Sequence, residues 1–459
     1  MRYDLCRHQV ILTGWPGWVN DRTVPWSLSR TPEQLPAADI LVLGAGCAGV
    51  VAAIAAARRG ARVTLAEREG TLGGISTGVL DTFYGFWTPG HHPARVVDGI
   101  PGEIVRELSA AGAAFERPNT YGAGTGVTYN PEILRTLYDR LCDQAGVTVL
   151  LHAAVADVAV AGRRVREVLL TSGSSLLSVT ADQLVDATGD AVAAHLAGAE
   201  SEGWSDIPNP QSLTVTFTMA PVDQARLGAV SRDQLLAMLG EAIDSGQYDL
   251  PRKDGSLHVT TVPGVEFVHM TRVSGWDPRN PAALSDAERE GRRQAVEYAR
   301  FLRDRVPGFE SARICWLARR IGVRESRRVV GRYWLTREDV MAARRFPDGV
   351  VRAGAPIEDH GSSASTRWDF LSEGSFYEIP FRSLLPRDLD GIAVAGRCLS
   401  ASHDAHASAR NMAQCMAMGQ AAGTAAAIAA DRGVNVGELD DGELRRELAK
   451  AGAVLGDDL

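Results

Sequence analysis

The chain has 459 residues, 45% of them hydrophobic and 23% charged, and its 48 Lys+Arg against 56 Asp+Glu give a formal net charge of −8. This composition excludes a disordered chain, a collagen and a coiled coil, and the length predicts two to three domain-sized units with cores that need no disulfide or metal staple. A modestly acidic chain also argues against nucleic-acid binding, which draws on a basic surface.

Residues 1–36 read as an N-terminal arm with Trp15, Trp18 and Trp26 and no sustained period. The three indoles are expected to pack on the body of the same subunit, or to serve as a lid or a homodimer contact. The N-terminus lacks the apolar run of about 7–15 residues that marks a secretory signal. The six cysteines (Cys6, Cys47, Cys142, Cys315, Cys398, Cys415) form no C-x-x-C pair and no zinc-type cluster. Reduced thiols, a cytoplasmic location and no metal site are the expectation. Cys47 and Cys398 read as buried fillers, since neither has a neighbouring cysteine in the sequence.

Residues 39–43 are a short apolar run expected as a buried parallel strand. Residues 50–59 predict an alanine-rich helix and 63–67 a second strand, completing a βαβ unit. Further on, 131–145 predicts a helix, 147–151 a strand, 155–160 and 166–171 a hairpin, and 177–186 a strand returning to the core. Residues 212–219 alternate as a strand, 222–248 are helical, 257–273 are strands, and 285–305 form a charged amphipathic helix. Residues 391–396 are another buried strand, and one long helix of small residues follows over 409–430. A short solvated helix is expected over 440–450. The longest small-apolar run, 421–430, is broken by Gly423 and Thr424 and is too short to span a bilayer.

Gly44-Ala45-Gly46-Cys47-Ala48-Gly49 is a G-x-G-x-x-G between a strand and a helix. Gly44 permits the tight turn, Gly46 lets a pyrophosphate approach the backbone, and Gly49 lets the helix sit close to the sheet. Glu67 closes the second strand, where a carboxylate accepts hydrogen bonds from a ribose hydroxyl. Gly73-Gly74-Ile75-Ser76-Thr77 suggests backbone passing close to an extended cofactor.

With Asp186-Ala187-Thr188-Gly189-Asp190, Gly322-Val323-Arg324-Glu325-Ser326-Arg327-Arg328, Gly396-Arg397, Arg410 and the 419–423 segment, the chain over about 38–432 resembles FAD-dependent oxidoreductases of the glutathione-reductase-like superfamily. The resemblance is to the branch related to fumarate reductase and succinate dehydrogenase flavoproteins. It implies an α/β fold: a three-layer, Rossmann-like FAD domain (37–205 and 371–432), an inserted α+β substrate domain (206–370) and a C-terminal helical tail (433–459). The cofactor implied is FAD, with redox chemistry at flavin N5. The residues expected to hold it are Gly44, Gly46, Cys47, Ala48, Gly49, Glu67, Arg68, Gly73, Gly74, Ser76, Thr77, Ala154, Val155, Ala187, Thr188, Gly189, Asp190, Gly396, Arg397, Ala409, Arg410, Asn411 and Met412.

The densest polar cluster, 400–411, contains His403 and His406, either of which can move a proton near neutral pH or simply hold the loop. Arg324 and Arg327 are either a substrate-carboxylate clamp or part of an ion-pair lattice. Arg410 contacts flavin or a substrate anion, or forms an ion pair. Tyr377, in a stretch ending at Arg382, covers the ring, donates to substrate or packs in a strand. His360 is a weaker pocket candidate. His91-His92 raises covalent flavin attachment, although its surroundings do not match that motif in succinate dehydrogenases.

A single dinucleotide fingerprint and no C-x-x-x-x-C pair leave oxygen, a quinone, a diffusible carrier or loosely bound NAD(P)H as electron acceptor. The expected function is an FAD-dependent dehydrogenase or oxidase that moves a hydride from a small polar organic metabolite to flavin N5, with His403 or His406 taking the proton. The alternatives are a reductase of an activated double bond, a flavin monooxygenase, or a non-catalytic flavoprotein binding module.

Overall fold

The computed structural model describes residues 31–118, 124–361 and 363–455. Trp15, Trp18 and Trp26 lie outside the described residues. The fold is mixed α/β around a parallel sheet. Strand β1 (Ala38–Leu43) leads into helix α1 (Cys47–Ala57) and strand β2 (Val63–Ala66). Helix α2 (Pro131–Ala145) starts where the Asn130 side chain accepts the Glu132 and Ile133 N–H groups, and stops at Gly146 with φ 76°. Strands β3 (Thr148–Leu150), β4 (Ala154–Ala161), β5 (Arg164–Ser172) and β6 (Ser175–Asp186) follow.

The long β6 belongs to two layers. Its first half pairs antiparallel with β5. Its second half runs parallel to β1 and to β7 (Ile392–Val394). The parallel sheet order is β3-β2-β1-β6, with β7 also on β6. Ile40 and Val42 face a core shared with α1, whereas Leu41 and Leu43 face one shared with Val158, Val168 and Leu170 of the hairpin. Both faces of β1 are therefore buried, which is why its sequence is continuously apolar.

A separate antiparallel sheet is built from Phe217–Ala220, Ser256–Val259, Glu266–His269 and Arg313–Leu317. It has its own apolar core, with Phe217, Val268, Tyr298 and Phe301. Among the described residues no helix is long and apolar enough to cross a membrane.

Three expectations need correction. The strand over 212–219 is paired as a strand only at Phe217–Ala220, because Ser212 and Thr214 donate their N–H groups to His360 and Gly322 instead. The helix over 222–248 is two helices, Gln224–Gly228 and Arg232–Asp244, the second restarted by a Ser231 capping box. The amphipathic helix begins at Pro281, with Asn280 as its cap. The long helix expected over 409–430 is α4 (Met412–Arg432), preceded by a short helix α3 (His403–Ala409), with extended backbone at Asn411, φ −63° and ψ 150°, between them.

Helices α1 and α4 touch through their backbones. A Cβ on Gly419 would lie 2.1 Å from the Ala48 carbonyl oxygen, and one on Gly423 2.1 Å from that of Ala52. Gly419→Ala should therefore cost about 1–3 kcal/mol in urea unfolding. Gly240→Ala, where a Cβ meets nothing within 4 Å, should instead stabilise its helix by roughly 0.5–1 kcal/mol. Equal responses from the two would show that the helix contact is not tight.

Candidate active site

A cleft of about 400 Å³ runs from the start of α1 to the antiparallel sheet. At its first end Gly44 has φ 86°, and a Cβ there would strike Thr188 Cα at 2.6 Å. Gly49 is equally constrained, with a Cβ falling 1.8 Å from the Gly44 oxygen. Gly46 differs: a Cβ there would meet nothing within 4 Å, so open space lies over the turn. No side chain caps α1 and no acid sits in its first turn, which leaves its leading N–H groups for an anionic ligand. The buried Glu67 carboxylate accepts the Ala45 N–H at 2.6 Å and the Glu69 N–H at 2.9 Å, and it lines the cleft.

Most expected cofactor residues meet here. Gly44, Gly46, Cys47, Ala48, Glu67, Arg68, Gly74, Ala154, Val155, Ala187, Thr188, Gly189, Asp190, Gly396, Arg397, Arg410, Asn411 and Met412 line the cleft. Gly49, Gly73, Ser76, Thr77 and Ala409 are not on its wall. The Ser76 hydroxyl donates to the Gly73 carbonyl and the Thr77 hydroxyl to that of Leu72, so both are spent on the local turn. Gly73 supports the wall, its N–H bonded to the Ala45 carbonyl at 2.7 Å. The open space over Gly46, the uncapped α1 and the pinned Glu67 fit an FAD dinucleotide.

At the far end α4 begins at Asn411 with neither a side-chain cap nor an acid in its first turn. Opposite it stands one face of the antiparallel sheet. His258 pairs with Phe267 and Ser256 with His269, so these four side chains share a face and line the cleft. His258 Nε2 lies 2.8 Å from Asp81 Oδ1, and Asp81 Oδ2 is buried without a partner. His269 Nε2 accepts a hydrogen bond from Arg324 at 2.9 Å. Burial, then Arg324, pushes the His269 pKa well below its ordinary value, so the ring is neutral.

Arg324 also donates to the Ser212 carbonyl at 2.7 Å. Arg410 donates to the Glu358 carbonyl at 3.0 Å, and its Nε is buried without a partner. Among the described residues neither arginine makes a salt bridge. Burial, then Arg410, pulls the Arg324 pKa well below the arginine range, and burial lowers that of Arg410. His360 bonds Glu358 at 2.8 Å and is held neutral by burial and by Arg324.

The expected proton acceptors are placed elsewhere. Neither His403 nor His406 lines the cleft. His403 sits between Glu325 at 2.9 Å and Asp359 at 3.3 Å. Burial alone would depress its pKa, but the bonds to Asp359 and Glu325 override this and raise it to about 9. It therefore holds a proton at neutral pH. His406 is fully buried, bonds the Arg397 carbonyl at 2.8 Å through Nε2, and is pushed down to about 3 by burial. Tyr377 is also buried behind the wall, sharing a hydrogen bond with Ser408 at 2.8 Å. Arg327 reaches the Asp190 carbonyl and Arg382 pairs with Asp348. Glu325 and Arg328 do form an ion pair, at 3.0 Å. The exposed His92 and the His91 N–H, bonded to Glu373, lie away from the cleft.

His258, Asp81 and His269 carried no motif. Their only signal was the position of both histidines within a stretch expected as strands, where a spacing of two residues selects a face. The strand register was needed to show which face.

A family model described as FAD dependent oxidoreductase matches residues 39–448. No curated protein matches the sequence. Among solved structures, a geranylgeranyl bacteriochlorophyll reductase-like protein from Thermoplasma acidophilum is similar at 12% identity, over 92% of this chain and 83% of that one, with TM-score 0.44. The flavin-dependent brominase Bmp2 is similar at 15% identity, over 90% of this chain and 83% of that one, with TM-score 0.44. The anhydrotetracycline hydroxylase OxyS from Streptomyces rimosus is similar at 13% identity, over 91% of this chain and 66% of that one, with TM-score 0.45.

Gly46→Val should leave urea stability within about 1 kcal/mol yet lower FAD loading, read from flavin absorbance of the purified protein, by at least an order of magnitude. His403 has a folded pKa raised from 6.5 to about 9. Its stabilising contribution is complete below pH 6.5 and is lost as pH climbs through about 9. Thermal midpoints should fall across that window in the native chain and fall less in His403→Gln.

Proposed function

The chain belongs to the FAD-dependent oxidoreductase family, and on that premise we propose that it is a dehydrogenase or oxidase of a small, carboxylate-bearing metabolite. FAD, when bound, supplies a hydride acceptor at flavin N5. The observation that carries the reading is the pair Arg324 and Arg410, which line the cleft and bond carbonyls and an imidazole rather than carboxylates. Two recessed cations without acidic partners favour an anion arriving from solution. A guanidinium fork matches a carboxylate. The neutral His269 and His360 orient this end without adding to its charge.

His258 is the residue we assign to take the substrate proton. Its Nε2 hydrogen is directed to the Asp81 carboxylate, which leaves the lone pair on Nδ1. Asp81 thereby orients the ring and stabilises the cation that forms when Nδ1 accepts a proton. Phe267, stacked on the ring at 4.9 Å between centroids, limits its rotation. His258 takes the role expected of His403 and His406, because those two rings stand behind the wall.

Anaerobic mixing of the FAD-loaded protein with small hydroxy acids, amino acids and neutral alcohols tests the reading. A carboxylate-bearing compound should bleach the flavin without added reductant. Arg324→Gln should raise its half-saturating concentration roughly 10- to 100-fold. His258→Asn should slow bleaching by about 10²–10⁴-fold while FAD stays bound. Equal bleaching by neutral alcohols, or an unchanged response in Arg324→Gln, would overturn it.

A further inference from the structure

Arg320 belongs to the antiparallel sheet by its backbone and to the dinucleotide turn by its side chain. It follows the strand Arg313–Leu317. The Ala318 N–H bonds the Thr216 carbonyl at 2.9 Å, and the Gly322 N–H bonds the Thr214 carbonyl at 2.6 Å. The Ile321 N–H bonds the Glu288 carboxylate at 2.7 Å. The main chain is thus fixed on both sides of Arg320. Its half-buried side chain lines the cleft and reaches Gly74. A Cβ on Gly74 would lie 3.0 Å from Gly46 Cα and 3.4 Å from Arg320 Nη2. The guanidinium therefore stands beside the turn over which open space lies. None of the residues expected to hold the cofactor falls between Asp190 and Gly396, and Arg320 carried no motif.

Arg320 is poorly matched within the protein. Its one ion pair among the described residues is with Glu69, at 3.5 Å, and the same carboxylate faces Arg68 at 3.8 Å. Arg397 differs, being held by Asp190 and by the Ser326 hydroxyl, each at 2.9 Å. Burial, and then repulsion from Arg68, lower the Arg320 pKa, yet a guanidinium keeps its charge at neutral pH. One loosely placed carboxylate shared by two arginines leaves positive charge beside the uncapped start of α1. An anion seated there would meet backbone N–H groups from one side and a guanidinium from the other.

We propose that Arg320 binds a phosphate oxygen of FAD at the Gly46 turn, so that the dinucleotide is held from the antiparallel sheet as well as from the parallel one. The inference rests on this cleft being the FAD site. Arg320 is a binding residue and takes no part in the redox step. A guanidinium fork offers phosphate two parallel N–H bonds, whereas a lysine at the same position offers only a point charge. The contact ties a segment more than a hundred residues away in the chain to the pyrophosphate that Gly46 admits.

The test titrates FAD into the FAD-stripped full chain by flavin fluorescence, at several salt concentrations. Arg320→Gln should weaken binding roughly 10- to 100-fold, and Arg320→Lys should fall between it and the wild type. Loss of a charge contact should also flatten the dependence of affinity on salt, which a merely displaced loop would not do. Arg319→Gln, at the exposed neighbouring position, should bind as the wild type does. Unchanged affinity in Arg320→Gln, or weakened affinity with the wild-type salt dependence, would overturn the proposal. Gly46→Val tells the two readings apart. If it loads FAD normally, the FAD-site reading itself fails; if it loses FAD while Arg320→Gln keeps it, only the Arg320 contact fails.

Discussion

The backbone contact between α1 and α4 is the constraint on which the cleft depends. Gly419 and Gly423 are the positions where a Cβ would collide with the carbonyls of Ala48 and Ala52. Around them Ala53, Ala56, Ala422 and Ala426 are completely buried. Small side chains contribute little apolar area each, but they let two helices approach closely along their length. The same approach carries the leading turns of both helices to one wall, each without a side-chain cap or an acid. Unpaired N–H groups at a helix N-terminus suit an anionic ligand, and this wall offers two such termini. Glu67, held by two backbone N–H groups, completes the first end.

The other end is governed by charge that is left unneutralised. Within five consecutive residues the chain treats its arginines in two ways. Arg328 is buried and paired with the carboxylates of Glu325 and Glu202. Arg324 turns to the cleft and bonds a carbonyl and an imidazole. The first arrangement pairs the guanidinium with carboxylates inside the protein, and the second leaves it on the cleft wall without one. The histidines follow the same division. His403 lies among carboxylates and is pushed up to about 9, whereas burial, and then the neighbouring Arg324, hold His269 and His360 neutral. The residue type is the same in each case, and burial together with neighbours from distant segments sets its protonation.

Much of the fold was legible locally. The unit from β1 to β2 carries its own signals: a continuous apolar run, three spaced glycines and an alanine-rich helix, all within thirty residues of chain. Helix α2 was equally clear, since Asn130, Pro131 and Gly146 mark its ends and the leucines between them keep a helical period. The short helix α3 was not legible, because its residues stood out only as a polar cluster ahead of the long helix. The polar cluster at 400–411 was conspicuous for its density, yet density does not say which side of a wall a side chain faces. Glu325, Asp359 and the Arg397 carbonyl claim its histidines.

By itself the sequence determined the α/β frame, the dinucleotide turn and the cofactor class, because each rests on spacing within one short segment and on the conformational freedom of glycine. Only the tertiary structure decided which histidines reach the cleft and which arginines stand there without a carboxylate partner. Those outcomes depend on strand register and helix crossing between segments remote in the chain, where a shift of a single residue reverses the face that a side chain presents.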